Sequence, residues 1–235
     1  MQSVFRIVCR DTNSSGTGFS HSSGQVVTAD HVVSGSSQPE LVLPNGNIVG
    51  LKLTASDPDV DIALLKPSIQ LPGRPLPIST TNKYTIGAQV STWGFPGGYF
   101  GLNPLLSVGY FSGVTANQSN SGQPIQRLIV NAAFNSGNSG GPLLQLETGH
   151  VIGVVSSKLA PISHHSQTAL AALSNQNSGF MYTATDANGN QTQVSEGQIV
   201  ASILNELRGQ VQLVIGMATD TQQLTNFLTA NGFTV

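Results

Sequence analysis

The sequence predicts an all-β protein of two compact halves, followed by one or two C-terminal helices. Three observations lead there. Charged residues make up only 9% of the 235-residue chain, and Gly, Ser, Thr, Asn and Gln replace them, which suits short strands joined by many turns. Apolar residues make up 39%, enough for well-buried cores at this length. Pro67, Pro72, Gly73, Pro75 and Pro77 crowd one stretch, and their repeated loss of backbone donors makes it a linker between the halves.

Taken in order, residues 4–9, 18–20 and 25–28 read as strands separated by the turns Asn13-Ser14-Ser15-Gly16 and Ser22-Ser23-Gly24. Strands at 41–43 and 48–53 flank Pro44-Asn45-Gly46, a hairpin signal because Asn and Gly accept positive φ. A short apolar strand, 62–65, follows Asp61. Beyond the linker the rhythm returns at 90–93, 105–113, 128–132, 151–156 and 179–183. Residues 1–70 are thus expected to form the first half, 71–77 the linker, 78–194 the second half and 195–235 a helical segment. In the last, Ile199, Val200, Ile203, Leu204 and Leu207 share one helical face. Thr219 and Gln222 resemble a capping box, and Leu224, Phe227 and Leu228 share a face before Gly232 ends the second helix. Both helices read as docking elements, and the second is expected to pack on the second half or on another subunit.

Several function classes fall away. Net charge is −2 with no basic run, so nucleic acid is not an expected partner. No apolar run approaches a membrane span. Met1–Arg6 has neither the basic start nor the apolar core of a signal peptide, so the chain is either cytosolic or has lost a targeting segment. In the second case an extracytoplasmic location, periplasmic or secreted, is expected. Cys9 is the single cysteine, which excludes an internal disulfide and a Cys-rich zinc site. There is no Walker-type loop and no H-E-x-x-H pair. Asp186-Ala187-Asn188-Gly189-Asn190 lacks the Gly and the last acid of a calcium loop and reads as a hairpin turn. No metal and no organic cofactor is expected. The sequence leaves oligomeric state open.

The segment richest in chemistry is Asn135-Ser136-Gly137-Asn138-Ser139-Gly140-Gly141-Pro142-Leu143. A serine hydroxyl needs a base to take its proton and backbone donors to receive an oxyanion. Gly137 can adopt a turn that aims its N–H, with that of Ser139, at one point, while Gly140 and Gly141 leave room for a substrate. Among five histidines, His31 directly follows an apolar strand, whereas His21, His150, His164 and His165 lie in polar turns or loops. Asp57, Asp59 and Asp61 all precede an apolar strand, and only Asp61 joins it directly; Asp57 and Asp59 flank Pro58 and suit capping.

Chain order decides between scaffolds. Gly137–Gly141 also fits the G-x-S-x-G elbow of α/β-hydrolases, whose acid and then histidine follow the serine. After Ser139 the only acid before the last histidine, His165, is Glu147, within a short hairpin's reach. That reading fails on inventory, and the order His31, Asp61, Ser139 remains.

Thr28-Ala29-Asp30-His31-Val32-Val33, Asp61-Ile62-Ala63-Leu64-Leu65 and Asn131–Leu143 resemble the three catalytic blocks of trypsin-like peptidases, most closely those of the Deg/HtrA group. Gly16-Thr17-Gly18-Phe19 and Gly149-His150-Val151-Ile152-Gly153-Val154 extend the likeness, which runs from about Phe5 to about Arg208. The resemblance implies a chymotrypsin-like double β-barrel with the triad between barrels, and a serine endopeptidase acting on polypeptides. Segment 197–208 resembles the helix that closes the protease domain of that family. The chain departs from the pattern at Asp30, usually Ala, and the residues after Arg208 are too few for the PDZ domain those proteins usually carry. The alternative is a catalytically silent barrel used for binding.

The resemblance also places Ala133, six residues before Ser139, at the base of the specificity pocket, with Phe134 and Val155 nearby and segment 179–181 as a further wall. No Asp or Glu occurs from Ile62 to Leu146, so a buried Arg or Lys of a substrate would find no partner. Cleavage after small or medium aliphatic residues is expected.

Overall fold

A computed structural model describes residues 2–81, 83–119, 122, 124–158, 164–185, 189–210 and 215–234. The first barrel is built from β1 (Val4–Cys9), β2 (Ser14–Ser20), β3 (Val26–Thr28), β4 (Glu40–Val42), β5 (Ile48–Asp57) and β6 (Ile62–Pro67). Its order is β1-β2-β3-β6-β5-β4, and β1 pairs back to β4 to close it. Alternation along β1 sends Phe5, Ile7 and Cys9 inward, where they meet Val26, Leu41, Val49, Leu51, Ala63 and Leu65. The predicted hairpin forms around Gly46, whose φ of +84° requires glycine. After β3 the chain makes a single helical turn, α1 (Asp30–Val33), with Val32 and Val33 in the core.

The second barrel begins with β7 (Gln89–Gly94), β8 (Leu105–Gln118), β9 (Pro124–Asn131), β10 (Pro142–Gln145) and β11 (Val151–Lys158). These account for five of its strands. The chain then forms a separate compact unit, residues 160–212, whose described part holds α2 (His164–Ser174), β12 (Met181–Thr185), β13 (Gln191–Ser195) and α3 (Glu196–Gln210). His164 and His165, expected in a loop, begin α2. In this unit β12 pairs with β13 as the predicted hairpin, although residues 186–188 of its turn lie outside the described residues.

The sixth strand of the second barrel is β14 (Gly216–Asp220), which pairs with both β11 and β9 and gives the closed order β10-β11-β14-β9-β8-β7. The segment 179–183 had been expected in this barrel and 216–220 in a helical tail. The reassignment follows from pairing: β14 is short, with Gly, Thr and Asp in its sequence, and its partners lie far away along the chain.

The helix after β14, α4 (Thr221–Ala230), starts from Asp220, whose side chain accepts the Gln223 amide at 2.9 Å. Thr219 is not the cap: α4 begins at Thr221, so the capping position falls to Asp220, the last residue of β14. The face of Leu224, Phe227 and Leu228 is buried with Val151 and Val154 of β11 and with Val4, Phe19, Ile62 and Leu64 of the first barrel. The tail helix α4 thus packs on the second barrel, as expected of its apolar face, while segment 197–208 forms most of α3 in the separate unit. Among the described residues no helix is long and apolar enough to cross a membrane.

Candidate active site

His31 lies in α1, immediately past the end of β3, with its side chain 49% exposed. Asp61 ends the turn between β5 and β6, with its side chain 13% exposed. Its φ is +60°, a left-handed conformation that costs a residue with a Cβ about 1–3 kcal/mol and persists only where its surroundings hold it. Asp57 supplies part of that hold: its Oδ1 accepts the amides of Asp59 at 2.9 Å and Val60 at 3.3 Å.

The Asp61 carboxylate receives the His31 Nδ1–H at 2.9 Å from each oxygen, and the His31 amide at 3.1 Å. A third donor comes from the other barrel: Ser156 Oγ on β11 reaches Oδ2 at 2.5 Å. Burial pushes the Asp61 carboxyl up, but the His31 ring and its charge, the Ser156 hydroxyl and the His31 amide outweigh it and hold the group below the usual range. The bond to Asp61 raises the His31 imidazole above its ordinary value against burial, and the charges of Asp61 and Asp30 add to the rise.

Ser139 precedes β10, and its Oγ donates to the carbonyl of Ser156 at 3.0 Å. Ser156 thus touches both Ser139 and Asp61, joining the three residues singled out in the sequence into one network. The sequence places Ser156 only within the expected pocket strand around Val155–Ser157, and nothing local in it signals a bond to Asp61.

The loop around Ser139 requires its glycines. Gly137 has φ +92°, and a Cβ there would stand 2.2 Å from the Phe95 carbonyl oxygen. Gly140 has φ +83°, and a Cβ there would stand 2.2 Å from the Thr17 carbonyl oxygen. The first barrel braces the loop: Thr17 N–H donates to Ser139 O at 2.8 Å, and Thr17 Oγ1 to Gly137 O at 2.7 Å. The Ser136 carbonyl accepts the Gly97 amide at 2.6 Å, so the amide of Gly137, in the same trans peptide plane, points the opposite way. Arg6 of β1 spans to this 95–101 segment, donating to Tyr99 O at 2.5 Å and Gly101 O at 3.2 Å, and lies 5.0 Å above the Phe95 ring.

Ala133 is half-buried and Phe134 is buried in the second-barrel core, where its ring packs against the Cα of Gly216. Val155 is buried and pairs across the ladder with Ala218. Segment 179–181, expected as a pocket wall, belongs to the separate unit, and the neighbour of Val155 is β14. Asp30 is buried; burial raises its carboxyl, while a hydrogen bond from Ser56 opposes the rise.

The model of the trypsin-like peptidase domain family matches residues 16–154, more than half of the chain. The chain belongs to the trypsin-like peptidase family. Among curated proteins it is 36% identical over 154 residues to Protease Do-like 1, chloroplastic, of Arabidopsis thaliana, covering 63% of this chain and 34% of that protein. It is also 36% identical over 141 residues to a probable periplasmic serine endoprotease, DegP-like, of Chlamydia muridarum, covering 59% of this chain and 27% of the relative. The match thus takes in about a third of the length of these relatives. Among solved structures, the active form of the Rv3671c protease from M. tuberculosis superposes with a TM-score of 0.64 at 21% identity, over 100% of this chain and 82% of that one. The HtrA-type protease AlgW with tripeptide gives 0.61 at 22%, over 97% and 59%. Both structures share with this trypsin-like chain the chymotrypsin-like double barrel.

Proposed function

We propose that this chain is a serine endopeptidase in which Ser139 is the nucleophile, His31 the general base and Asp61 the group that orients His31. One observation carries the reading: the Asp61 carboxylate receives Nδ1–H of His31, which leaves Nε2 unprotonated and free to take a proton from a serine. Ser139 attacks the scissile carbonyl as His31 takes its proton, and His31 then returns that proton to the leaving amine. The oxyanion is received by the amides of Gly137 and Ser139, and the turn of Ser136 O toward Gly97 supports an orientation ready for that task. The residues perform this chemistry without a metal or organic cofactor.

The substrate is a polypeptide with a small or medium aliphatic residue on the acyl side. Phe134 fills space against Gly216, and the residues next to Ala133, Phe134 and Val155 offer no carboxylate to a basic side chain. An extracytoplasmic location is the companion proposal, prompted by relatives named as periplasmic.

Labelling with a fluorophosphonate tests the assignment, since it needs a nucleophilic serine and an assembled base. Wild type should label and Ser139→Ala should not, with cleavage reduced to the roughly 10³–10⁴-fold over water that remains when a triad member is lost. Sustained cleavage by the Ser139→Ala protein would remove the nucleophile assignment.

A further inference from the structure

Arg127 lies on β9 and is buried, as are its strand neighbours Ile125, Leu128 and Val130. Its guanidinium points out of its own barrel toward the turn that carries Asp61. Nη1 donates to the carbonyl of Val60 at 2.7 Å, and Nη2 to the carbonyl of Asp59 at 3.0 Å. Nη1 also donates to Thr219 Oγ1 on β14, and that hydroxyl in turn donates to Val60 O at 2.6 Å. Two donors from the second barrel therefore converge on the carbonyl directly before Asp61.

That carbonyl belongs to the peptide whose rotation sets φ of Asp61, the residue held at +60°. Asp57 restrains the amides of the turn from inside the first barrel, and the Arg127–Thr219 pair restrains its carbonyls from the second. A buried guanidinium is costly to desolvate, and an apolar residue would fill the same volume of a barrel wall more favourably. Its planar fork explains why Arg stands there: one side chain reaches two successive carbonyls and a hydroxyl, which a single ammonium does not reproduce.

We infer that Arg127, seconded by Thr219, is a positioning residue that fixes the backbone of Asp61 and so aims its carboxylate at His31. The inference rests on the proposed roles of Asp61 and His31. It makes the geometry of the acid in one barrel depend on a side chain of the other. Charged groups near Arg127 are Asp61, Asp220 and Asp57, and those acting on His31 are Asp61 and Asp30.

Arg127→Lys keeps the charge and removes the fork, so its effects report geometry. In the folded variant kcat should fall about 10- to 100-fold, the scale of a sub-ångström to 1 Å misplacement, with KM little changed. The His31 pKa, read by NMR titration without turnover, should drop toward its ordinary value of about 6.5, and the acid limb of kcat/KM should move down with it. Thr219→Val, which leaves the guanidinium in place, should shift both readouts the same way by less. A role in folding alone would lower activity in proportion to the folded fraction and leave the His31 titration where it was; that result, or wild-type kcat with an unmoved titration, overturns the inference. If Arg127→Lys does not fold, an unmoved titration in Thr219→Val overturns it. Persistent cleavage by Ser139→Ala would defeat the triad reading and leave this titration test standing, so the two failures are distinguishable.

Discussion

The amide of Gly97 donates a 2.6 Å hydrogen bond to the carbonyl of Ser136. This bond ties the loop after β7 to the peptide that presents the Gly137 amide, and Arg6 holds the same loop from the first barrel. The orientation of the Gly137 amide is thus secured by contacts outside the Ser139 loop.

Gly137→Ala should break this arrangement, because a Cβ there collides with Phe95 O and the φ of +92° is strained for any residue but glycine. Loss of one oxyanion donor costs about 10²–10³-fold in kcat, and we expect that range with both barrels folded. Arg6→Ala should act in the same direction more mildly, by about 10-fold. Steady-state kinetics beside circular dichroism check both; an Arg6→Ala enzyme with unchanged kcat would show that the 95–101 segment holds itself.

Activity should fall on acidification with an apparent pKa above the ordinary histidine value of about 6.5. His31 must be neutral to act as base, and its bonds to Asp61 and the charge of Asp30 stabilise the protonated ring. The same raised pKa makes His31 a source of stability that is full below pH ~6.5 and is lost as pH rises through its folded value. Asp61, held low, contributes stability above about pH 3.9 that is lost as pH falls through its own folded value. Asp30→Asn removes one of the charges acting on His31 and should move the acid limb to lower pH. A superimposable profile would mean that solvent screens Asp30 from the imidazole.

Leu224 of α4 is fully buried in the cluster shared by both barrels. Leu224→Ala should destabilise the protein by about 2–5 kcal/mol, lowering Tm on the order of 10 °C. Thermal unfolding followed by near-UV circular dichroism measures this. A shift under 2 °C would mean that α4 adds little to barrel packing.

A peptide library varied at the acyl-side residue should show preference for Ala, Val, Ile or Leu and rejection of Arg and Lys. Preference for a basic residue would contradict the placement of Ala133 at the pocket base, since no acid is near it in sequence to receive the charge.

Much of the candidate site was legible because its parts are local. Turn glycines, an acid abutting a strand and a histidine just past the end of one each announce themselves within about six residues. What escaped was non-local. Arg127 reads as a stray cation on an apolar strand, and Ser156 as a strand-end serine, until the second barrel brings them beside the turn of Asp61. Strand β14 escaped for the same reason: Gly216–Asp220 has little strand character of its own, and it is defined by β9 and β11 across an intervening unit. Asp30 was legible as an oddity of sequence, and its burial beside Ser56 became visible only in three dimensions.

Strand β14 also sets a schedule for biosynthesis. The first barrel is complete in sequence once residue 67 has left the ribosome, but between Lys158 and Gly216 the second barrel stands open, its β9 and β11 edges unpaired. At about 5–20 residues per second that gap lasts roughly 3–12 s. Throughout it the Asp61 turn lacks Thr219, and the wall that carries Ser156 lacks its neighbour. A nascent chain therefore emerges with Ser139 in an unfinished scaffold, and the second barrel can close only after Gly216–Asp220 has followed.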